Sequence, residues 1–204
     1  MVRSSFLTNI IKIILYISVS VESKLRNHKT VLLSWEENYN IKELTVDDVP
    51  EDCRKNYICS NITTYETEFV NNLLKKLSSQ KNLKKFNVDK LTVLNSYGLG
   101  EIEELCASKE EIIWPQAAVD DKDQWQYIVN TGVFPFQGYR INRCIERGSR
   151  CSKAAIFDGF NSSCEQEIFL RKMVYIDVKN KQLATNYFQI PSCCSCKITS
   201  IDLY

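Results

Sequence analysis

The sequence predicts a small all-β domain, cross-linked by disulfides, that is preceded by a partly helical segment. Three observations support this fold class. Seven of the nine cysteines lie between Cys106 and Cys196. The same stretch is rich in alternating, β-branched and aromatic residues, which favour strands. Upstream of it, apolar residues recur at a four-residue spacing, which is typical of one face of an amphipathic helix.

Residues 1–23 are interpreted as a signal peptide. Arg3 and Lys12 precede a short apolar run at 13–19, which ends in small residues. The run is too short to span a bilayer, since a spanning helix needs about 20 apolar residues. The alternative is a buried N-terminal helix, but the charged start and the small-residue end favour removal by a signal peptidase. We therefore expect a secreted, extracellular product without membrane insertion.

Secretion changes how the cysteines are interpreted. In an oxidising compartment they form disulfides, whereas in the cytosol a Cys-Cys-x-Cys motif would suggest a metal site. Two Asn-x-Ser/Thr sequons agree with secretion and predict glycosylation at Asn61 and Asn161.

The composition argues against several classes of function. The formal net charge is +1, so nothing marks the chain as a nucleic-acid binder. His28 is the single histidine, which argues against a Ser-His-Asp triad, a Cys-His pair and a His-rich zinc site. We therefore predict that the protein is not an enzyme and that it uses no metal or other cofactor.

Residues 24–100 are predicted to contain one helix. Cys53 and Cys59 lie close enough in the sequence for a local disulfide that closes a small loop. Apolar residues then recur every four positions, at Tyr65, Phe69, Leu73 and Leu77. An isolated helix of about three turns is marginal in water, so its apolar stripe is expected to pack against the cysteine-rich domain. Residues 78–100, which begin with a polar and basic stretch, are interpreted as a linker.

The cysteine-rich domain, residues 101–204, is predicted to be built from hairpins. Residues 124–129 and 139–142 alternate between the two faces of a strand. Two runs of strand-forming residues, 169–178 and 183–190, are separated by a polar turn, which predicts an antiparallel hairpin.

Basic residues cluster around two cysteines of this domain, at Arg140, Arg143, Arg147, Arg150 and Lys153. A solvated face is the simpler interpretation of this cluster. The alternative is a binding site for an anion or for heparin.

Cysteine spacing limits the cross-links of this domain. Cys193, Cys194 and Cys196 lie within four residues, and adjacent cysteines are too constrained to pair comfortably with one another. Three disulfides use six of the seven cysteines, and six cysteines permit fifteen pairings, so spacing alone leaves the connectivity open. Two bonds between the segments 144–151 and 194–196 would close a small ring, which a third bond could thread. One cysteine is left over, which suggests an intermolecular bond and a symmetric dimer.

Three short motifs stand out in the cysteine-rich domain. They are Trp-Pro-Gln-Ala at 114–117, Gln-Trp-Gln-Tyr-Ile-Val-Asn at 124–130, and Phe-Gln-Ile-Pro-Ser-Cys-Cys-Ser-Cys at 188–196. Together with the order and spacing of the seven cysteines, these motifs resemble the Spätzle family, the arthropod ligands of Toll receptors. The resemblance is close over residues 106–198 and looser upstream.

The resemblance implies a neurotrophin-like cystine knot of twisted β-hairpins, with residues 24–100 as its pro-region. It places Cys193 at the interchain position of a homodimer. The disulfides that it implies join Cys106 to Cys164, Cys144 to Cys194, and Cys151 to Cys196.

The same resemblance implies a secreted precursor that an activating serine protease cuts ahead of the knot. The C-terminal fragment would then bind the ectodomain of a Toll-type receptor and trigger immune or developmental signalling. The alternative is a secreted, non-signalling effector built on the same knot, such as a receptor antagonist or an inhibitor protein.

Large aromatic residues crowd one stretch of the domain, where the resemblance places the pro-region and later the receptor. Such side chains supply much contact area at a low entropy cost. The predicted receptor-binding residues are Trp125, Phe134 and Phe136. Tyr127, in the same stretch, is expected to be buried in the core.

The activation site departs from the family pattern. No arginine lies between Arg54 and Arg140, so the arginine expected just before the knot is missing. Lysines are the basic residues in this region, and the predicted processing sites are Lys85 and Lys90. A trypsin-like protease that accepts lysine is the expected enzyme.

Overall fold

The computed structural model describes residues 29–36, 39, 41–81, 83–91, 104–132, 135–152 and 160–200. The predicted signal peptide and Phe134 lie outside these ranges. Within them, no helix has both the length and the apolar character needed to cross a membrane. From Val31 onward the chain forms one unit by its contacts.

The described residues form two helices, nine strands and a short 3-10 helix at Val46–Asp48. The helices are α1 (Glu51–Arg54) and α2 (Thr67–Lys81). Within residues 24–100, for which we keep the name pro-region, the strands are β1 (Thr30–Ser34), β2 (Ile58–Cys59) and β3 (Asn87–Val88). Those of the cysteine-rich domain are β4 (Ser108–Ile113), β5 (Ala117–Val119), β6 (Trp125–Tyr127), β7 (Gln137–Cys144), β8 (Phe160–Asp177) and β9 (Gln182–Ser200).

The antiparallel hairpin of β8 and β9 is the longest feature of the fold. It confirms the predicted hairpin and extends it away from the turn, to Phe160 on one strand and Ser200 on the other. The carboxylate of Asp177 holds the turn, because it accepts hydrogen bonds from the backbone and side-chain amides of Asn180. Lys181 takes the left-handed φ of 49° as the chain reverses. The architecture is mostly β-structure, and three disulfides within the cysteine-rich domain make it the predicted cystine-knot class.

The pro-region contributes one strand to each of the three sheets. The strand orders are β1-β9-β8, β2-β5-β6 and β3-β7-β4. β2 pairs with β5 in the antiparallel sense, and β3 pairs with β7 in the parallel sense. The pro-region is therefore built into the β-structure of the cysteine-rich domain.

The apolar stripe of α2 is buried against the cysteine-rich domain, as expected. Its buried residues are Phe69, Val70, Leu73 and Leu77. They share one core cluster with side chains of β5, β6, β8 and β9, and Tyr127 in that cluster is 5% exposed, as predicted. A second cluster lies mostly within the cysteine-rich domain and contains Tyr139, Tyr175 and Phe188.

The linker interpretation of residues 78–100 is wrong over part of its length. Helix α2 begins at Thr67 and continues to Lys81, so residues 78–81 form its last turn. Residues 87–88 are a strand rather than a linker. The polar composition of the segment did not reveal this strand, because its hydrogen-bond partners lie on a distant part of the chain.

Candidate functional site

Three disulfides tie the long hairpin to the rest of the cysteine-rich domain. They join Cys106 to Cys164, Cys144 to Cys194, and Cys151 to Cys196, the pairs that the resemblance implies. The sulfur of Cys106 lies 3.8 Å from that of Cys151, so two of the bonds pack together in a buried cluster. Cys106, Cys151 and Cys196 have sulfur atoms close enough to ligate a metal. All three are disulfide-bonded, so none offers the thiolate that a metal requires.

Cys193 is left without a disulfide partner in the chain, and all nine cysteines lie among the described residues. The remaining pair, Cys53–Cys59, closes the small loop in the pro-region. Cys193 is half-buried on β9, and its carbonyl oxygen accepts a hydrogen bond of 2.9 Å from the side chain of Gln166. The backbone is thus fixed while the residue remains partly exposed, which suits a bond to a second chain.

Cys193→Ser is expected to turn a disulfide-linked dimer into a monomer without unfolding the chain. None of the four disulfides involves Cys193, so the knot is unchanged by the substitution. The measurement is a non-reducing gel of the purified protein, with a reduced lane of the wild type as the control. A covalent dimer that persists in the variant would contradict the interchain role of Cys193.

The pro-region covers an apolar surface of the cysteine-rich domain, which we define by Tyr127, Val129, Phe136, Val174 and Ile176 and call the covered surface. These residues belong to the same core cluster as the buried stripe of α2. Each of them is at most 5% exposed. The folded chain therefore presents little of this surface to solvent.

Tyr65 fixes the entry to α2 by polar contacts with the cysteine-rich domain. Its hydroxyl oxygen lies 2.7 Å from the carbonyl oxygen of Ile128 and 2.6 Å from that of Asn130, and it accepts the amide of Asn130 at 2.9 Å. Burial raises the pKa of the Tyr65 phenol well above its usual value, although the hydrogen bond with the Asn130 backbone lowers it. The group is therefore a neutral hydroxyl at physiological pH. A second polar link joins the hydroxyls of Thr64 and Tyr127, which are 3.0 Å apart.

Two buried amide side chains shape the loop that carries Phe136. Asn130 donates to the carbonyls of Pro115 and Gln137 at 2.7 and 2.9 Å, and it accepts the amides of Phe136 and Gln137 at 3.0 and 2.9 Å. Gln137 donates to the carbonyls of Val129 and Val174 at 3.0 and 2.7 Å. Sequence analysis did not single out these amides. The sequence signal that could have found them is their position, because Asn130 and Gln137 flank an apolar and aromatic stretch.

Residues Phe86–Asp89, which we call the strap, run along one edge of β7. The amide of Phe86 donates to the carbonyl of Phe136 at 2.9 Å, and the amide of Asp89 donates to the carbonyl of Gly138 at 3.0 Å. Between these bonds, β3 pairs with β7. The rings of Phe86 and Phe136 stack with their centroids 6.4 Å apart. Phe86 of the strap thus packs on Phe136, which also lies in the core cluster that contains α2.

The strap ends in an ion pair between Asp89 and Arg171. One terminal nitrogen of Arg171 lies 3.1 Å from both carboxylate oxygens. The backbone amide of Arg140 and the side-chain amide of Asn87 each donate to the same carboxylate at 3.0 Å. Burial raises the pKa of Asp89, but these donors and the charge of Arg171 outweigh it and hold the pKa below its usual value. The carboxylate is therefore ionised and paired at neutral pH.

Three members of the basic cluster have partners within the chain. Arg140 and Arg143 form ion pairs with glutamates of β4. The guanidinium of Arg147 donates to the carbonyl of Lys55 in the pro-region at 2.6 Å. These contacts favour a structural role for the three residues over a free anion site.

The predicted receptor-binding residues lie at different depths. Trp125 is half-buried on β6, at the border of the core cluster that contains α2. Phe136 is 1% exposed, and Phe134 lies outside the described residues. Phe136 is accessible to a partner only after the pro-region has moved, so its receptor contact stays a prediction for the processed form.

The predicted modification and processing sites are all exposed. Asn61 lies in the loop before α2, and Asn161 lies at the start of β8. Lys85 directly precedes the strap and Lys90 directly follows it. The two lysines therefore lie on either side of the pro-region segment that is hydrogen-bonded to β7.

Residues 103–198 match the family model described as Spaetzle. "Protein spaetzle 5" of Drosophila melanogaster is 30% identical over 97 residues, which cover 47% of this chain and 24% of that protein. "Protein spaetzle" of the same species is 28% identical over 145 residues, 69% of this chain and 43% of that protein. The chain thus spans less than half the length of either relative. A solved structure described as "Crystal structure of spatzle cystine knot" matches with 22% identity and a TM-score of 0.31, over 49% of this chain and 97% of that chain.

Proposed function

The chain belongs to the Spaetzle family through its domain at residues 103–198, and on this premise we propose that it is the secreted precursor of a cytokine-like ligand. In this proposal the knot domain forms a homodimer through Cys193 and binds the ectodomain of a Toll-type receptor to trigger signalling. A serine protease activates the precursor by cutting between α2 and the knot. The immune or developmental context depends on the receptor.

The observation that carries the proposal is the covered surface. Tyr127 and Phe136 are 5% and 1% exposed in the precursor, and both share a core cluster with the stripe of α2. An apolar surface that includes aromatic side chains is the type of surface that protein partners recognise. Loss of the pro-region would uncover it, so cleavage would change what a receptor meets.

The test compares the uncut chain with the same protein cut by a trypsin-like protease. Each is applied to cells that carry a Toll-type receptor and a transcriptional reporter, and each is measured for binding to the immobilised ectodomain. The cut dimer should bind and activate, and the uncut chain should do neither. Binding without activation would favour the receptor antagonist instead. A correctly disulfide-bonded, cut dimer that binds no Toll-type ectodomain would contradict the proposal.

Trp125→Ala is expected to weaken binding of the cut protein to the ectodomain by about tenfold or more, which is the usual effect of truncating a central aromatic contact. The side chain lies at the border of the covered surface, and the β6 backbone stays paired with β5 through Val119. The measurement is binding to the immobilised ectodomain, together with a non-reducing gel that checks the dimer.

The matched control for this substitution is Trp114→Ala. Trp114 is 42% exposed and does not belong to the covered surface, so its truncation should leave binding unchanged. If Trp125→Ala abolishes secretion, the residue belongs to the core and its role in binding is refuted.

A further inference from the structure

The strap is held on β7 by three kinds of contact. Backbone hydrogen bonds from Phe86 and Asp89 flank the parallel pairing of β3 with β7. The Phe86 ring stacks on Phe136 at one end. The Asp89 carboxylate pairs with Arg171 at the other end. Each of these contacts could be made by an extended peptide that is not part of the same chain, because none requires a covalent connection to the knot.

The groups that receive the strap are positioned by contacts of their own. The guanidinium carbon of Arg171 lies 5.6 Å from the centre of the Tyr139 ring, a cation–π geometry. The Tyr139 hydroxyl lies 2.9 Å from the side-chain oxygen of Gln137 and 2.8 Å from the carbonyl of Lys172. Asn130 holds the backbone at Phe136. None of these contacts involves the strap, so the site is preorganised for whatever replaces it.

The position of the cut decides whether this site is free. A cut after Lys85 leaves the strap at the N-terminus of the knot fragment. A cut after Lys90 leaves it at the C-terminus of the pro-region, and cuts at both lysines release residues 86–90 as a short peptide. In the last two cases the strap is no longer tethered to the knot, and the edge of β7 can exchange its occupant.

We propose that the edge of β7 between Phe136 and Arg171 is a docking site for an extended segment of a partner protein. This segment carries an aromatic residue followed three positions later by a carboxylate. In the precursor, the strap occupies the site. An open strand edge accepts such a segment as an added strand. The ring of Phe136 selects the aromatic side chain, and the charge of Arg171 selects the carboxylate. The site stands on its own contacts, but the cleavage that opens it rests on the proposed function.

The test measures binding of a fluorescent peptide with the sequence of residues 83–91 to the full-length protein, by anisotropy. The strap is weakened within the protein by the double substitution Phe86→Ala and Asp89→Asn. The peptide should bind this variant about tenfold or more tightly than it binds the wild type, in which the strap occupies the site. Replacing the aspartate of the peptide by asparagine should weaken its binding to the variant by about tenfold, because a charge-assisted pair is lost.

Arg171→Gln, added to the weakened-strap protein, is the matched control for the ion pair. The aspartate and asparagine peptides should then bind alike. If the double substitution prevents secretion, Asp89→Asn alone serves as the weakened-strap protein. Three outcomes would each overturn the proposal. They are equal binding of the peptide to wild type and variant, no preference for the carboxylate when Arg171 is present, and no binding at all.

A second copy of this chain is the competing occupant, through exchange of straps. To test for it, the association of Cys193→Ser protein is measured as a function of concentration. Association that is abolished by adding Phe86→Ala and Asp89→Asn would identify a second copy as the occupant. That result would overturn the assignment to a partner protein. Neither a receptor nor a protease enters these measurements. Their failure would therefore leave the proposed function standing, and a failed receptor assay would leave this site standing.

Discussion

Replacement of Lys84, Lys85 and Lys90 by Gln should leave a secreted but uncut precursor that does not activate the receptor. A trypsin-like protease needs a basic residue at the cut bond, and no arginine lies between Arg54 and Arg140. The three lysines are exposed and flank the strap, outside the regular hydrogen bonding of α2. Mass spectrometry should find no cut fragment. Reporter activity should be no higher than that of untreated cells.

The lysines of α2 supply the matched control for this experiment. Lys75 and Lys76 are also exposed, but their backbone is hydrogen-bonded in the helix and is therefore a poor protease substrate. Lys75→Gln with Lys76→Gln should leave cleavage and activation unchanged. A furin-type enzyme, which wants arginine at the cut bond, should cut neither protein. Full receptor activation by the uncut triple variant would show that cleavage in this segment is not the switch.

Removal of the Cys151–Cys196 bond, by Ser at both positions, should lower the free energy of unfolding by about 2–5 kcal/mol and sharply reduce secretion. The bond spans a sequence separation of 45 residues, for which the chain-entropy model gives about 4 kcal/mol. A loss of this size is a large share of the total stability of a small domain. Urea unfolding of the purified proteins measures the change, and the amount secreted gives a second measure.

The Cys53–Cys59 bond is the matched control, because its sequence separation is 6 residues. The same chain-entropy model gives about 2 kcal/mol for so short a loop. Its removal should be the milder change and should leave the knot pairs intact on peptide mapping. If the two removals destabilise equally, loop length is not what makes the knot bond important.

The parts of the fold that sequence could predict are those with a local signal. The stripe at Phe69, Leu73 and Leu77 repeats at the helical period, and the hairpin of β8 and β9 consists of two strand-forming runs around a polar turn. The disulfide pairs carry no such signal, since spacing left fifteen pairings open. The family resemblance supplied the pairs that the structure contains.

The strap could not be predicted because its contacts are distant in the sequence. Asp89 and Arg171 are separated by 82 residues, and nothing near Phe86 indicates a parallel pairing with β7. The hydrogen bonds of Asn130 and Gln137 are also set by tertiary structure, because buried amides acquire their partners only when the chain folds. The depth of Phe136 has the same origin, since it joins the core cluster with α2 and stacks on Phe86 only in the folded chain.

The strand that the pro-region adds to β9 has a consequence for the synthesis of the protein. β9 is 19 residues long, and a long uncovered strand edge is a template for pairing with other copies and for aggregation. β1 lies along part of this edge and β3 lies along part of the edge of β7, so both edges are partly covered in the folded chain. We therefore expect these strands to keep the knot domain soluble, and a fragment that lacks residues 24–100 should aggregate more readily than the whole chain.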